Sequence, residues 1–380
     1  MKLTAQVKLI VTSEQAKALR ETLAVTNSAC NAISDWAWEN RKFGQFATHH
    51  GMYRTIRENF PLAAQMVVRA NAKVADAYKL DKVTKRVFKP TGAIAYDNRI
   101  LRWQMGKSQV SIWTTQGRLT IPFVCGDRQR ALLATQQGET DLCCIGSIWF
   151  LNTTCNVEEP PAADMSNGVL GIDLGIVELA SDSEGRQYSG TAIKAYRRRL
   201  RSLRAGLQKC GSKSAKRHLK RAALRGSRYT KWLNHNISRQ IVQNAILSGK
   251  ALAMESLTGI RERGNGFSRE MRWQMGNWAF DQLKQFVSYK AKAAGIVLVL
   301  VNPRNTSRTC SVCGYCDKLN RKSQSNFLCL ECGFQTNADL NASANIARLG
   351  METRADVTQP KDGTIGLPSS LSKLPALAGG

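Results

Sequence analysis

Read for its apolar and polar positions, the chain changes texture several times. Residues 1–11, MKLTAQVKLIV, alternate in the period of a half-buried strand. Ser13 and Glu14 then open a helical stretch with Leu19, Leu23, Ile33 and Trp36 among its apolar positions. After Pro61, the residues Leu62, Met66, Ala70, Val74 and Ala77 are spaced for one buried helix face. Arg69 and Lys73 would then lie toward another face, free for a polyanion. From about residue 83, alternating, β-branched and aromatic segments are broken by glycine: 93–96, 100–103, 110–113, 118–122 and 143–150. These predict short antiparallel strands, a small barrel completed by the first strand. Residues 158–167, EEPPAADMSN, read as a linker.

Beyond the linker, acids stand at the ends of apolar runs. Residues 168–190 read as a meander of short strands, in which the run 169–172 ends in Asp173. The segment KALAME (250–255) is another short strand and ends in Glu255. Residues 310–332 hold two CxxC pairs, Cys310/Cys313 and Cys329/Cys332, each followed by glycine and separated by fifteen residues. Four thiolates at this spacing suit tetrahedral Zn²⁺, each pair forming one knuckle of a zinc ribbon. Cys316 makes a further CxxC with Cys313 and is expected to stay outside the site. Seven residues past the last ligand, Asp339 heads an Ala/Asn/Leu-rich helix. Asp in a first turn is commonly a cap. Two acids at strand ends and one at a helix start also suit a pair of divalent cations for phosphodiester hydrolysis.

Charge narrows the partners. The chain has 55 Lys and Arg against 28 Asp and Glu, a formal charge of +27, which predicts salt-sensitive binding to a polyanion. Fifteen of the cations fall within 194–231, which contains no acid. A solvated helix face normally mixes signs; this one calls for an external anion, and Arg197, Arg198, Arg199, Arg201 and Arg204 are the leading phosphate contacts, with Arg308 and Lys318 near the ribbon. No long apolar run or lipid-anchoring helix supports a membrane partner, and the first segment reads as a strand, not a signal peptide. Seven of the eleven cysteines lie outside the ribbon set and are scattered, which implies a reducing, cytoplasmic setting. The glycine-bearing basic loop at 261–273 reads equally as a gate over a site or as a plain connection.

The motifs GIDLG (171–175), AMESL (253–257), the double CxxC and TNADLNASANIA (336–347) resemble the TnpB family of insertion-sequence proteins, and miniature type V CRISPR effectors that share them. The segment 277–301 is similar to the family's helix and strand before the ribbon. The resemblance implies an α+β multidomain chain. A wedge β-barrel (1–11 and 83–157) would hold a helical recognition insertion (12–82). After the linker would come an RNase H-like, RuvC-type nuclease (168–303 and 336–349), an inserted zinc ribbon (304–335) and a flexible tail (350–380). It implies a metal-dependent DNA endonuclease of a transposable element, directed by a guide RNA to double-stranded DNA beside a short motif. Asp173, Glu255 and Asp339 would hold two Mg²⁺ ions, or Mn²⁺, and Cys310, Cys313, Cys329 and Cys332 a structural Zn²⁺. The competing readings are a CRISPR effector of the same chemistry and a non-cleaving RNA-guided regulator, the second disfavoured by the three intact acids. A strand-joining transposase would want a tyrosine nucleophile with metal-binding histidines, or an acidic triad with end-binding domains.

Overall fold

The computed structural model describes residues 1–162, 167–256, 279–323 and 325–357 and, for 354–357, the backbone only. The loop at 261–273, part of the 158–167 linker and the tail beyond residue 357 lie outside the described residues. The chain divides into two compact units, Met1–Glu158 and Glu159–Gly380. No helix among the described residues is long and apolar enough to cross a membrane.

In the first unit, strand β1 (Lys2–Leu9) buries Ala5, Val7 and Leu9 and exposes the alternate positions. Helices α1 (Ser13–Glu39), α2 (Gln45–Asn59) and α3 (Ala64–Leu80) follow. Thr12 caps α1 through a reciprocal pair with Gln15: its hydroxyl accepts from the Gln15 amide, and the Gln15 side chain accepts from the Thr12 amide. The α3 face buries Met66, Ala70 and Val74, but Tyr78 ends the stripe instead of Ala77, with its hydroxyl 2.9 Å from Ser34 Oγ. Six further strands complete a sheet: β2 (Ile94–Tyr96), β3 (Leu101–Gln104), β4 (Gln109–Thr114), β5 (Gly117–Val124), β6 (Gln136–Ile145) and β7 (Ile148–Asn156), with the short helix α4 (Asp127–Leu133) between β5 and β6. The order is β2-β6-β7-β1-β5-β4-β3, which places the first strand in the centre. Tyr96 on one edge strand donates its hydroxyl to the Trp113 carbonyl of β4 at 3.0 Å, so the sheet is nearly closed.

Two expectations for this unit fail. The segment 143–150 is a hairpin, not one strand. Gly146 and Ser147 both adopt positive φ (56° and 72°), the two-residue turn whose twist matches paired strands. Nor are Arg69 and Lys73 free. Arg69 pairs with Glu139, and Lys73 donates to Asn27 Oδ1 at 2.6 Å and to the Ala93 carbonyl at 2.7 Å. Their face of α3 is covered by β2 and its neighbours, which the helical period alone does not reveal.

In the second unit, strands β8 (Val169–Asp173), β9 (Glu178–Asp182), β10 (Gln187–Ser189), β11 (Ala251–Glu255) and β12 (Leu298–Val301) form a sheet of order β10-β9-β8-β11-β12. β8, β11 and β12 are parallel; β9 and β10 complete the meander antiparallel. Helices α5 (Thr191–Cys210) and α6 (Lys213–Ser248) form a hairpin whose turn uses Gly211 at φ 64° and Ser212 as the next N-cap. Ile237, Ile241 and Ala245 of α6 pack with Leu283 and Val287 of α7 (Phe280–Ala293) against Leu170, Ile172, Leu252 and Met254. Helix α8 (Ala338–Val357) pairs Ile346 with Val169, Ala251 and Ala253 in a second apolar cluster. It continues through Val357, so the tail expected from residue 350 begins as helix.

Candidate active site and metal centre

Asp173 and Glu255 come side by side because their strands are adjacent and parallel. Gly171 aligns with Ala253 and Ile172 with Met254, so the two acids end neighbouring strands. Side chains alternate along a strand; Asp173 and Glu255 therefore share a face with Gly171 and Ala253. That face receives α8. A methyl group on Gly171 would collide with the Ser343 carbonyl and the Ala347 amide, and one on Gly350 would collide with Ala253 and Val169. The helix therefore rests on bare backbone. Asp339 stands four residues before Ser343, about 6 Å along the helix, and Asp173 stands two residues after Gly171, about 6.6 Å along the strand. Seating Ser343 on Gly171 thus brings Asp339 to the level of Asp173.

The helix cap frees Asp339 for this position. Asn337 Oδ1 accepts from the backbone N–H groups of Asp339 and Leu340 at 2.8 and 3.4 Å. Capping thus falls to Asn337, leaving the Asp339 carboxylate to face the other acids. Burial first, then the charges of Glu255 and Asp339, push the Asp173 carboxyl up to about 8; Arg321 opposes them. Burial also raises Glu255 and Asp339, and Arg321 lowers both.

Several partners carried no sequence signal of their own. Thr306 is buried and donates its hydroxyl to Glu255 Oε1 at 2.5 Å. Arg321 comes from the ribbon and sits 3.5 Å from Asp339 Oδ1. Asn341 and Asn345 of α8 are buried and donate to the Thr309 carbonyl at 2.8 and 2.6 Å; Asn345 also reaches the Thr306 carbonyl at 3.0 Å. These asparagines fasten the turn at 304–309, which leads into the first knuckle, onto the acid-bearing helix. Their repeat in NASANIA, at four-residue spacing, is the trace they left in the sequence.

The ribbon is built as two matching knuckles. Gly314 and Gly333 both have positive φ (77° and 71°), and their amides donate to the Cys310 and Cys329 carbonyls at 3.0 and 3.1 Å. The sulfurs of Cys310, Cys313, Cys329 and Cys332 all lie within 4.8 Å of one another. This is the donor set and compactness of a tetrahedral zinc site. Cys316 is exposed and outside the group.

Among the basic residues, Arg198, Arg199, Arg201 and Arg204 are exposed on α5. Arg197 differs: it is partly buried and its guanidinium lies 3.5 Å from Thr230 Oγ1. Arg308 is exposed before the first knuckle, and Lys318 is exposed on a short turn within the ribbon.

A family model described as probable transposase matches residues 152–251, and one described as Cas12f1-like, TNB domain matches 280–346. The CRISPR-associated endodeoxyribonuclease Cas12f1 of Sulfoacidibacillus thermotolerans is 35% identical over 52% of this chain and 50% of its own length. A TnpB-like protein of Methanocaldococcus jannaschii is 35% identical over 30% of this chain and 40% of its own. The chain thus spans half or less of either relative. The fold is shared with the cryo-EM structure of a Cas12f1–sgRNA–target DNA complex, with TM-score 0.60 and 16% identity, covering 89% of this chain and 83% of that one. One family model spans the strand that ends in Asp173, and the other spans the cysteine ribbon and the start of the helix that carries Asp339; over these parts the chain is similar to TnpB-like and Cas12f proteins.

Proposed function

We propose that the chain is an RNA-guided DNA endonuclease of a transposable element, with Asp173, Glu255 and Asp339 as its cutting centre. The observation that carries this is the meeting of three carboxylates from two adjacent strand ends and a helix start, where burial and their mutual charge hold Asp173 near 8. Such a set favours hard divalent cations, because oxygen donors and excess negative charge are what Mg²⁺ selects. Three carboxylates at one place are a donor set that could hold two such cations. Bound there, Mg²⁺ would supply an activated water and charge neutralisation at the scissile phosphate.

The protein's own groups do the positioning. Thr306 fixes one oxygen of Glu255, leaving the other to turn toward a ligand. Arg321 offsets the negative charge around Asp339 and presents a guanidinium to an incoming phosphate. The exposed arginines of α5 suit contacts to phosphate, which position a strand without reading its sequence. In this reading sequence is read by a guide RNA pairing with the target strand of double-stranded DNA. The first unit then serves as wedge and recognition parts, with the boundaries expected from the sequence, and the second as a RuvC-type nuclease with its ribbon, working in the cytoplasm.

Asp173→Ala, Glu255→Ala and Asp339→Ala, each purified with its RNA, test the assignment. Each should lose DNA cleavage in Mg²⁺ while keeping guide-dependent binding. Substantial cutting by any one of them removes that residue from the centre.

A further inference from the structure

Trp232 is 57% exposed on α6, within the reach of the cationic run. A large aromatic side chain in water is unusual beside so many charges, and this one is supported from beneath. Its ring stacks on Tyr229 at 5.8 Å between centroids with 20° between planes. Tyr229 in turn lies 4.8 Å from Tyr196 of α5, and both Tyr229 and Leu233 rest against the apolar core of the second unit. The aromatic column thus rises from the core to solvent. Arg225, Arg228 and Lys231, all exposed, flank its outer end on the same helix.

The column can also be placed along the sheet. Gly249, at φ 62°, reverses the chain between α6 and β11, and the Lys250 amide bonds back to the Ala245 carbonyl at 3.0 Å. Helix and strand therefore run in opposite directions from a common corner. Trp232 lies about 25 Å from that corner along the helix, and Glu255 about 20 Å from it along the strand. Counted by rise alone, the two stand at similar distances from that corner, but α6 packs on Ile172 and Met254, the sheet face opposite the one that carries the acids and α8.

We propose that Trp232 is a stacking platform for an unpaired base of single-stranded DNA whose phosphates lie along the α5–α6 hairpin. This rests on the reading of the acids as a DNA-cutting centre. Paired bases hide their faces within a duplex, whereas an unpaired base offers one to an aromatic ring. An aromatic face bordered by cations is the combination that holds single strands without sequence preference. DNA is favoured over RNA as the occupant because the same unit carries the carboxylates read above as a DNA-cutting centre.

The test uses the full-length protein and three fluorescein-labelled oligomers of equal length, oligo-dT, oligo-rU and a fully abasic deoxyribose chain, followed by fluorescence polarisation at several salt concentrations. Trp232→Ala should weaken oligo-dT binding about tenfold, leave the abasic chain unchanged and keep the salt slope. Trp232→Phe, which retains a ring, should keep most of the preference for dT. Equal losses on oligo-dT and the abasic chain, or no loss on either, would overturn the platform. A larger loss on oligo-rU than on oligo-dT would overturn DNA as the occupant. Since no cleavage is read, a negative result leaves the assignment of the acids standing, and a failed acid assignment leaves the base preference measurable.

Discussion

A Cβ built on Gly171 would lie 2.1 Å from the carbonyl oxygen of Ser343 and 2.4 Å from the Ala347 nitrogen. Both are helix backbone atoms, which have no rotamer by which to escape. Gly171→Ala should therefore push α8 outward, destabilising the protein by about 1–3 kcal/mol. Because Asp339 rides on that helix, cleavage should fall about a hundredfold even in the variant that folds. Gly206→Ala is the matched control. It lies inside α5 with nothing within 4 Å of the added carbon, and should be neutral or stabilising by up to about 1 kcal/mol. Thermal melts with cleavage rates on both variants check the contrast.

The raised Asp173 carboxyl makes stability depend on pH in an unusual direction. In the unfolded chain an Asp releases its proton near pH 4, whereas in the fold Asp173 holds it to about 8. Between these values the native state binds the extra proton, so its contribution is full below about pH 4 and is lost as pH rises toward 8. In Mg²⁺-free buffer with zinc retained, this site should make the protein melt lower at pH 8 than at pH 5. Asp173→Asn should flatten that dependence and raise the melting temperature at pH 8 by a few degrees. An unchanged slope in the variant would show that Asp173 is not the group responsible.

One zinc per chain is expected from metal analysis of the purified protein. Cys310→Ser and Cys332→Ser should lose it, and the loss should loosen the ribbon by several kcal/mol. Cys316→Ser should keep it, since that thiol lies outside the four-sulfur group. Arg321 and Thr306 reach the acids from the ribbon and the turn that leads into it; zinc removal should therefore reduce cleavage as well as stability.

The salt dependence of nucleic-acid binding separates the arginines of α5 from one another. Replacing the exposed Arg198, Arg199, Arg201 and Arg204 together with Ala should weaken binding to all sequences. For every phosphate that the variant no longer neutralises, the log–log salt slope should fall by about 0.7–0.9. Arg197→Ala should act differently, because that side chain is partly buried against Thr230; it should lower the melting temperature with little change in slope. A sequence-selective loss in the quadruple variant would instead assign these residues to base reading.

Local sequence determined much that depends on neighbouring residues, although the turn at Gly146 and Ser147 and the Asn337 cap were not read from it. The knuckles of the ribbon follow from CxxC and a glycine at positive φ, and the meander whose first strand ends at Asp173 follows from short apolar runs and turns. The α5–α6 charge run was legible because fifteen cations without an acid cannot be balanced internally. The motifs also pointed to Asp173, Glu255 and Asp339 as a group. Only the tertiary structure decided what those acids face, because Arg321 and Thr306 are brought in across long chain separations by a fold that no local period encodes. It likewise decided that Gly171 is a seat for a helix, and that Arg69 and Lys73 are engaged within the first unit. Helical spacing says which residues share a face; it does not say what other part of the chain will cover that face.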